Sequence, residues 1–160
     1  NQHWFGALYY KIIPGETDPV HKFYTLLGWA GKNSTITQKV IEILTFDELE
    51  RPQFGLRVFP DYDGGKMTRI IFRYSASTSM SLRYEEQVIS SEKNWNLKKR
   101  MFDYSTKTVM MIVCDRLIPL DPKLEGQYQY YVADGDIFDG FLKEHGRWNF
   151  IKEIAPRNKH

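Results

Sequence analysis

The chain has 160 residues, 42% hydrophobic, 26% charged and 15% aromatic, with a formal net charge of +2. This length predicts one domain with a sizeable core, and a charge so close to zero gives no ground by itself for binding nucleic acid or an anionic membrane. No apolar run approaches the length of a transmembrane helix, and the single cysteine, Cys114, excludes an internal disulfide.

Residues 4–13 (WFGALYYKII) read as a first strand, ended by Pro14-Gly15, and after a polar loop at 16–20 residues 22–29 (KFYTLLGW) read as a second. A Gly/Asn turn follows at 30–34. Residues 35–47 are ambiguous. Ile36, Val40, Ile43 and Leu44 fit a helical stripe, but the density of β-branched residues favours a strand. The chain turns at 49–52 and returns over 53–59 as a hairpin partner, and Asp61-Tyr-Asp-Gly-Gly65 reads as another hairpin turn.

Residues 68–85 (TRIIFRYSASTSMSLRYE) carry the clearest pattern. From Ile70 to Tyr84 every even position is apolar or nearly so, and the odd positions, apart from Ile71, are polar. Successive side chains of a strand point to opposite faces, so the pattern predicts an antiparallel sheet with one side on the core. A straight strand of this length would span about 50 Å, against a radius of gyration of roughly 15 Å for such a domain. The chain must therefore bend or turn near 75–79. A two-residue hairpin loop would swap the inward parity, and the parity is kept. That leaves an odd-length loop or one coiled strand crossing from one sheet to another.

The pattern breaks at 86–108, a long polar and basic excursion with Lys93, Lys98, Lys99, Arg100 and Lys107 around Trp95 and Phe102, and room for one short helix near 96–102. Residues 108–118 are apolar on both faces, the mark of a central strand. A loop at 119–126 leads to a final meander over 127–133, 137–143 and 147–154, with turns at Asp134-Gly135 and His145-Gly146 and a polar tail at 155–160. The fold class predicted is all-β: an antiparallel meander of about eight to ten strands in one domain over 1–160, forming a sandwich or partly open barrel with at most one short helix.

No constellation compels a chemistry. Asp134, Asp136 and Asp139 invite a calcium site, but their spacing misses an EF-hand by one residue, and Asp-Gly is what an ordinary turn looks like. His3, His21, His145 and His160 lack metal-ligand spacing. Ser75, Ser77, Ser79 and Ser81 read as a ladder on a wet sheet face rather than as nucleophiles. Cys114, within an apolar run, reads as a small buried hydrophobe. No catalytic residue, metal or cofactor is expected. The tryptophans and the Tyr128/Tyr130 pair are expected mostly in the core, with a sugar-stacking platform as the alternative. The residues singled out for contact with a partner are Trp95, Lys98, Lys99, Arg100 and Phe102, where cations and rings share one segment.

Three blocks of sequence also resemble one family. They are YTLLGWAGKNSTITQKVIEILTFDE with PQFG after it, IIFRYSASTSMSLRY, and DRLIPLDPKLEGQYQYYVADGDIFDGFLKEHGRWNFIKEIAPRN. Over residues 8–158 the chain resembles the C-terminal part of a family of uncharacterised, usually exported proteins of Bacteroidota. The resemblance implies a cell-envelope address, periplasmic or associated with the outer membrane, and a missing N-terminal segment. It implies no catalytic residue, and the excursion at 87–108 is longer than the family's usual connection. A start at Asn1 rather than Met fits a processed or trimmed product.

The function expected is thus non-catalytic: a cell-envelope binding or scaffold domain that contacts another protein or a surface component, with no nucleic-acid partner. The alternative is a barrel-like carrier of a small molecule or glycan.

Overall fold

The computed structural model describes residues 4–15 and 23–154, and the side chains of 90–94 and 103–104 fall outside that description. The expected loop at 16–20 and tail at 155–160 also lie outside it, as do His3, His21 and His160. The described residues form nine strands in two antiparallel sheets. In the first, β1 (Leu8–Pro14), β2 (Tyr24–Gly31) and β3 (Ile36–Phe46) lie side by side. The far edge of β3 is shared by β4 (Pro52–Phe54) and β5 (Ile70–Ser75). The second sheet is a meander of β6 (Leu82–Asn96), β7 (Met101–Pro119), β8 (Tyr131–Glu144) and β9 (Arg147–Ile154). The fold is an all-β sandwich, not a closed barrel.

The ambiguous segment is a strand because both of its faces are buried. Ile41 and Ile43 enter the core between the sheets, while Val40 and Glu42 are buried on the outer face. A helix with one apolar stripe would leave half of these exposed. The alternation at 68–85 resolves as a crossing between sheets. Residues 76–81 carry the chain from β5 to β6, so Ile70, Tyr74 and Leu82 face the same core from opposite sides and the parity survives. Asp115 secures the corner: its carboxylate accepts the Ser81 N–H at 2.7 Å.

Several expectations are corrected. Residues 53–59 contribute only the short β4; beyond it Val58 and Phe59 are buried in irregular chain. The turn at 61–65 joins strands that pair with β3 rather than with each other, and it contains one 3-10 turn with positive φ at Asp63, Gly64 and Gly65. No helix forms near 96–102; β6 and β7 continue into a hairpin there. Asp134-Gly135 is not a hairpin turn but part of a bulge inside β8, where residues 134–137 stand opposite Arg116 alone. Tyr128 and Tyr130 lie in a 3-10 turn, not on a strand face. The turn at His145-Gly146 forms as expected, with positive φ at both residues.

Trp148 ties the two layers together. Its ring is fully buried and meets Tyr84 edge-on at 6.3 Å. The indole N–H donates to Thr25 Oγ1 on β2 at 2.9 Å, and the backbone N–H donates to the Val58 carbonyl at 2.7 Å. One residue of the last strand thus holds both β2 and the irregular chain beyond β4. Trp148→Ala should lower stability by about 3–5 kcal/mol, since it leaves a large cavity and a buried hydroxyl without its donor. Urea denaturation checks this; a loss below about 1 kcal/mol, within the range of ordinary surface substitutions, would contradict it.

Candidate functional site

β8 pairs with β7 only as far as Met111, opposite Leu142, whereas β6 follows β7 all the way to Asn96, opposite Met101. Residues 101–110 of β7 therefore have β6 as their only strand partner among the described residues. The distal half of this hairpin is a two-stranded arm roughly 30 Å long, at about 3.3 Å per residue, whose base lies against β9 where Val88 and Ile89 line a pocket with Ile151 and Ile154.

The tip of the arm is ordered by local bonds. Asn96 Oδ1 accepts the N–H groups of Lys98 and Lys99, each at 3.1 Å. Arg100 closes the four-residue turn with a φ of 51°. One pair below, Trp95 and Phe102 face each other across the strands as a T-shaped pair with centroids 4.9 Å apart. The expected residues Trp95, Lys98, Lys99, Arg100 and Phe102 are thus brought together at one end of the molecule. The sequence reading missed Leu97 and Met101, which flank the cations. Leu97 is 82% exposed, Met101 54% and Trp95 51%. Over 88–109 there are five basic and two acidic side chains, a net of +3 in a chain whose total is +2.

A second concave feature opens where β5 faces β7 and β8. It is a cleft of about 300 Å³ with Tyr62, Tyr128 and Tyr131 among its walls. Arg116 grips the Asp139 carboxylate there through Nε at 3.0 Å and Nη2 at 2.5 Å, and its Nη1 donates to Glu153 at 2.9 Å. Two paired carboxylates hold this guanidinium firmly protonated. The fork also takes up the Asp139 oxygens that a calcium ion would need, and among the described residues no three His, Cys, Asp or Glu side chains converge as a cation site. Cys114, on the cleft wall, donates to the Asp139 carbonyl at 3.5 Å, and burial pushes its thiol well above the ordinary range, which keeps it unreactive. Ser75 and Ser77 are hydrogen-bonded to each other at 2.8 Å within the sheet-to-sheet corner. Of the tryptophans only Trp148 is in the core; Trp4, Trp29 and Trp95 are exposed, contrary to expectation.

The outer face of the first sheet holds a buried acid. Residues near the N-terminus lie over it: at Gly28 a Cβ would stand 2.8 Å from the Tyr9 ring and 2.9 Å from Ala7, so only glycine fits beneath them. Under this cover Glu42 is fully buried, 3.3 Å from Arg69 Nε, and neither carboxylate oxygen finds a hydrogen-bond partner among the described residues. Desolvation raises its pKa to about 7, against the opposing pull of Arg69.

No family model, no curated protein and no solved structure matches the chain.

Glu42 makes stability depend on pH. Its carboxyl titrates near 4.5 when free and at about 7 when folded, so between those values the folded state holds the extra proton. Stability from this group is greatest at low pH, falls as pH rises through that window, and stays low above it. The wild type should lose on the order of 2 kcal/mol between about pH 5 and pH 8 that Glu42→Gln does not lose. Urea midpoints of both proteins at the two pH values check this, and parallel pH profiles would refute it.

Proposed function

We propose that this protein is a non-catalytic binding domain of the cell envelope that engages its partner through the β6–β7 arm. The observation that carries this reading is a ribbon whose distal half has no third strand beside it among the described residues yet displays Leu97, Met101 and Trp95 beside three cations. Two-stranded ribbons are marginal alone, and exposed apolar groups gathered at one place mark interaction sites. The periplasmic or outer-membrane address rests on the resemblance of residues 8–158 to exported proteins of Bacteroidota. A second reading, favoured by the tyrosines and the Arg116–Asp139 fork, is a small polar ligand or glycan held in the cleft. Rings and bidentate polar groups together are what such ligands require.

The two readings separate by mutation. Replacing residues 90–106, between the paired Ile89 and Lys107, with a two-residue Asn-Gly turn should abolish recovery of envelope components in affinity purification while the Tm changes little. Arg116→Ala should leave that recovery intact. If the arm-less protein recovers the same components, the arm is not the binding element. A glycan-induced rise in Tm that Arg116→Ala removes would favour the cleft.

A further inference from the structure

We propose that the surface gripped by the arm is an anionic phospholipid layer, with the turn at residues 97–100 entering the interface and the Trp95–Phe102 pair seated at headgroup depth. This rests on the arm being the binding element. The tip is convex and single-ended. Leu97 opens the turn as its most exposed apolar side chain, Met101 begins the returning strand, and Lys98, Lys99 and Arg100 lie between them in the same turn. A protein partner would need a pocket shaped to this knob, whereas a lipid interface accepts any convex apolar tip that brings its own cations. Long Lys and Arg side chains can bury their stems and keep their charges at the phosphates. The aromatic pair lies one ladder step behind the turn, roughly 7 Å from its apex. That matches the ~5–10 Å to which interfacial elements are buried. Trp is also the side chain best suited to a boundary that is apolar on one side and wet on the other. The positive charge is local, a net of +3 over residues 88–109 in a chain of +2, so attraction to an anionic plane orients the molecule tip first. A nucleic-acid strand is disfavoured because the cations share one short turn with aliphatic groups instead of lining a groove that tracks phosphates.

The test is co-sedimentation of the full chain with phosphatidylcholine vesicles, with and without a third of phosphatidylglycerol. Binding should require phosphatidylglycerol and weaken with salt. Each cation near such a surface contributes roughly a fivefold factor, so K98E/K99E/R100E together should reduce binding by about 100-fold or more. Leu97→Asp should reduce it as well. Trp95 emission should shift to the blue on binding, and the Trp95→Phe protein should lack that shift. The variants' Tm and near-ultraviolet spectrum, to which the buried Trp148 contributes, report whether the sandwich is intact. The proposal is overturned if the folded wild type stays in solution with anionic vesicles, or if the triple charge reversal sediments as well as the wild type. If vesicles are ignored while an envelope protein is still recovered through the arm, the lipid assignment falls and the binding arm stands. If neither vesicles nor envelope components depend on the arm, both fall.

Discussion

The structure turns on one strand that is longer than the sheet it belongs to. β7 runs for 19 residues, and β8 covers only its C-terminal half. In that half Ile112 and Cys114 point into the core, Met111 and Val113 are buried on the other face, and over residues 111–114 both edges are paired. This short stretch is buried on both faces and paired on both edges. The other half continues with only β6 paired beside it. Because the two halves are one continuous strand, the arm inherits its direction from the core. A strand fixed on both faces and both edges cannot pivot without breaking the ladder that holds it.

That anchoring explains why a ribbon suits a binding element better than a loop. A flexible excursion of the same length would pay conformational entropy when it docked, roughly 1–2 kcal/mol for each residue ordered. The ladder from Val88–Thr108 to Asn96–Met101 and the Asn96 cap settle that ordering at folding. What the tip then presents, Leu97 and the cations beside it, is already in place. The arrangement has a consequence for the ribbon's edges. Unpaired strand edges invite association with other chains, and lysines along the segment work against it.

Much of the fold was legible in the sequence because it depends on period-two patterning. The inward residues Ile70, Tyr74 and Leu82 follow from alternation alone; the strand expected as central over 108–118 is flanked on both edges only at residues 111–114. The errors fall where tertiary context overrides local signals. Asp134-Gly135 has the chemistry of a hairpin turn, but Ile118, Val132 and their neighbours keep β7 and β8 paired on both sides of it, so the extra residues bulge out. Residues 96–102 have several good helix formers, yet a seven-residue helix is unstable alone, and the Trp95–Phe102 pair closes a ribbon instead. Within the candidate site the cations and rings were visible as a cluster. Leu97 and Met101 were not, because an isolated Leu or Met carries no sign of being beside a turn until the turn is known. The Arg116–Asp139 fork had no sequence signal at all, since its partners are brought together only by the bulge.

Glu42 shows the same dependence from the opposite side. Alternation marks it as an outward position of β3, where a carboxylate should meet water. It is instead fully buried, on a face where Ala7, just before β1, and the Tyr9 ring close over Gly28, which has no Cβ to obstruct them. Arg69 reaches the carboxylate at 3.3 Å and its guanidinium also lies 5.7 Å over the Phe5 ring, so one cation links the acid to its cover. A buried ion pair of this kind is weak as a source of stability, because desolvating two charges offsets most of their attraction. Its larger effect is on conformation: lifting the cover would hydrate Glu42 and favour its charged form, so the seating of residues 5–7 and the protonation of Glu42 are linked. The arm and this cover belong to different sheets, and the core pinned by Trp148 stands between them. Binding at the tip and titration at the far face are therefore independent properties of the fold, and changes that tune one leave the other in place.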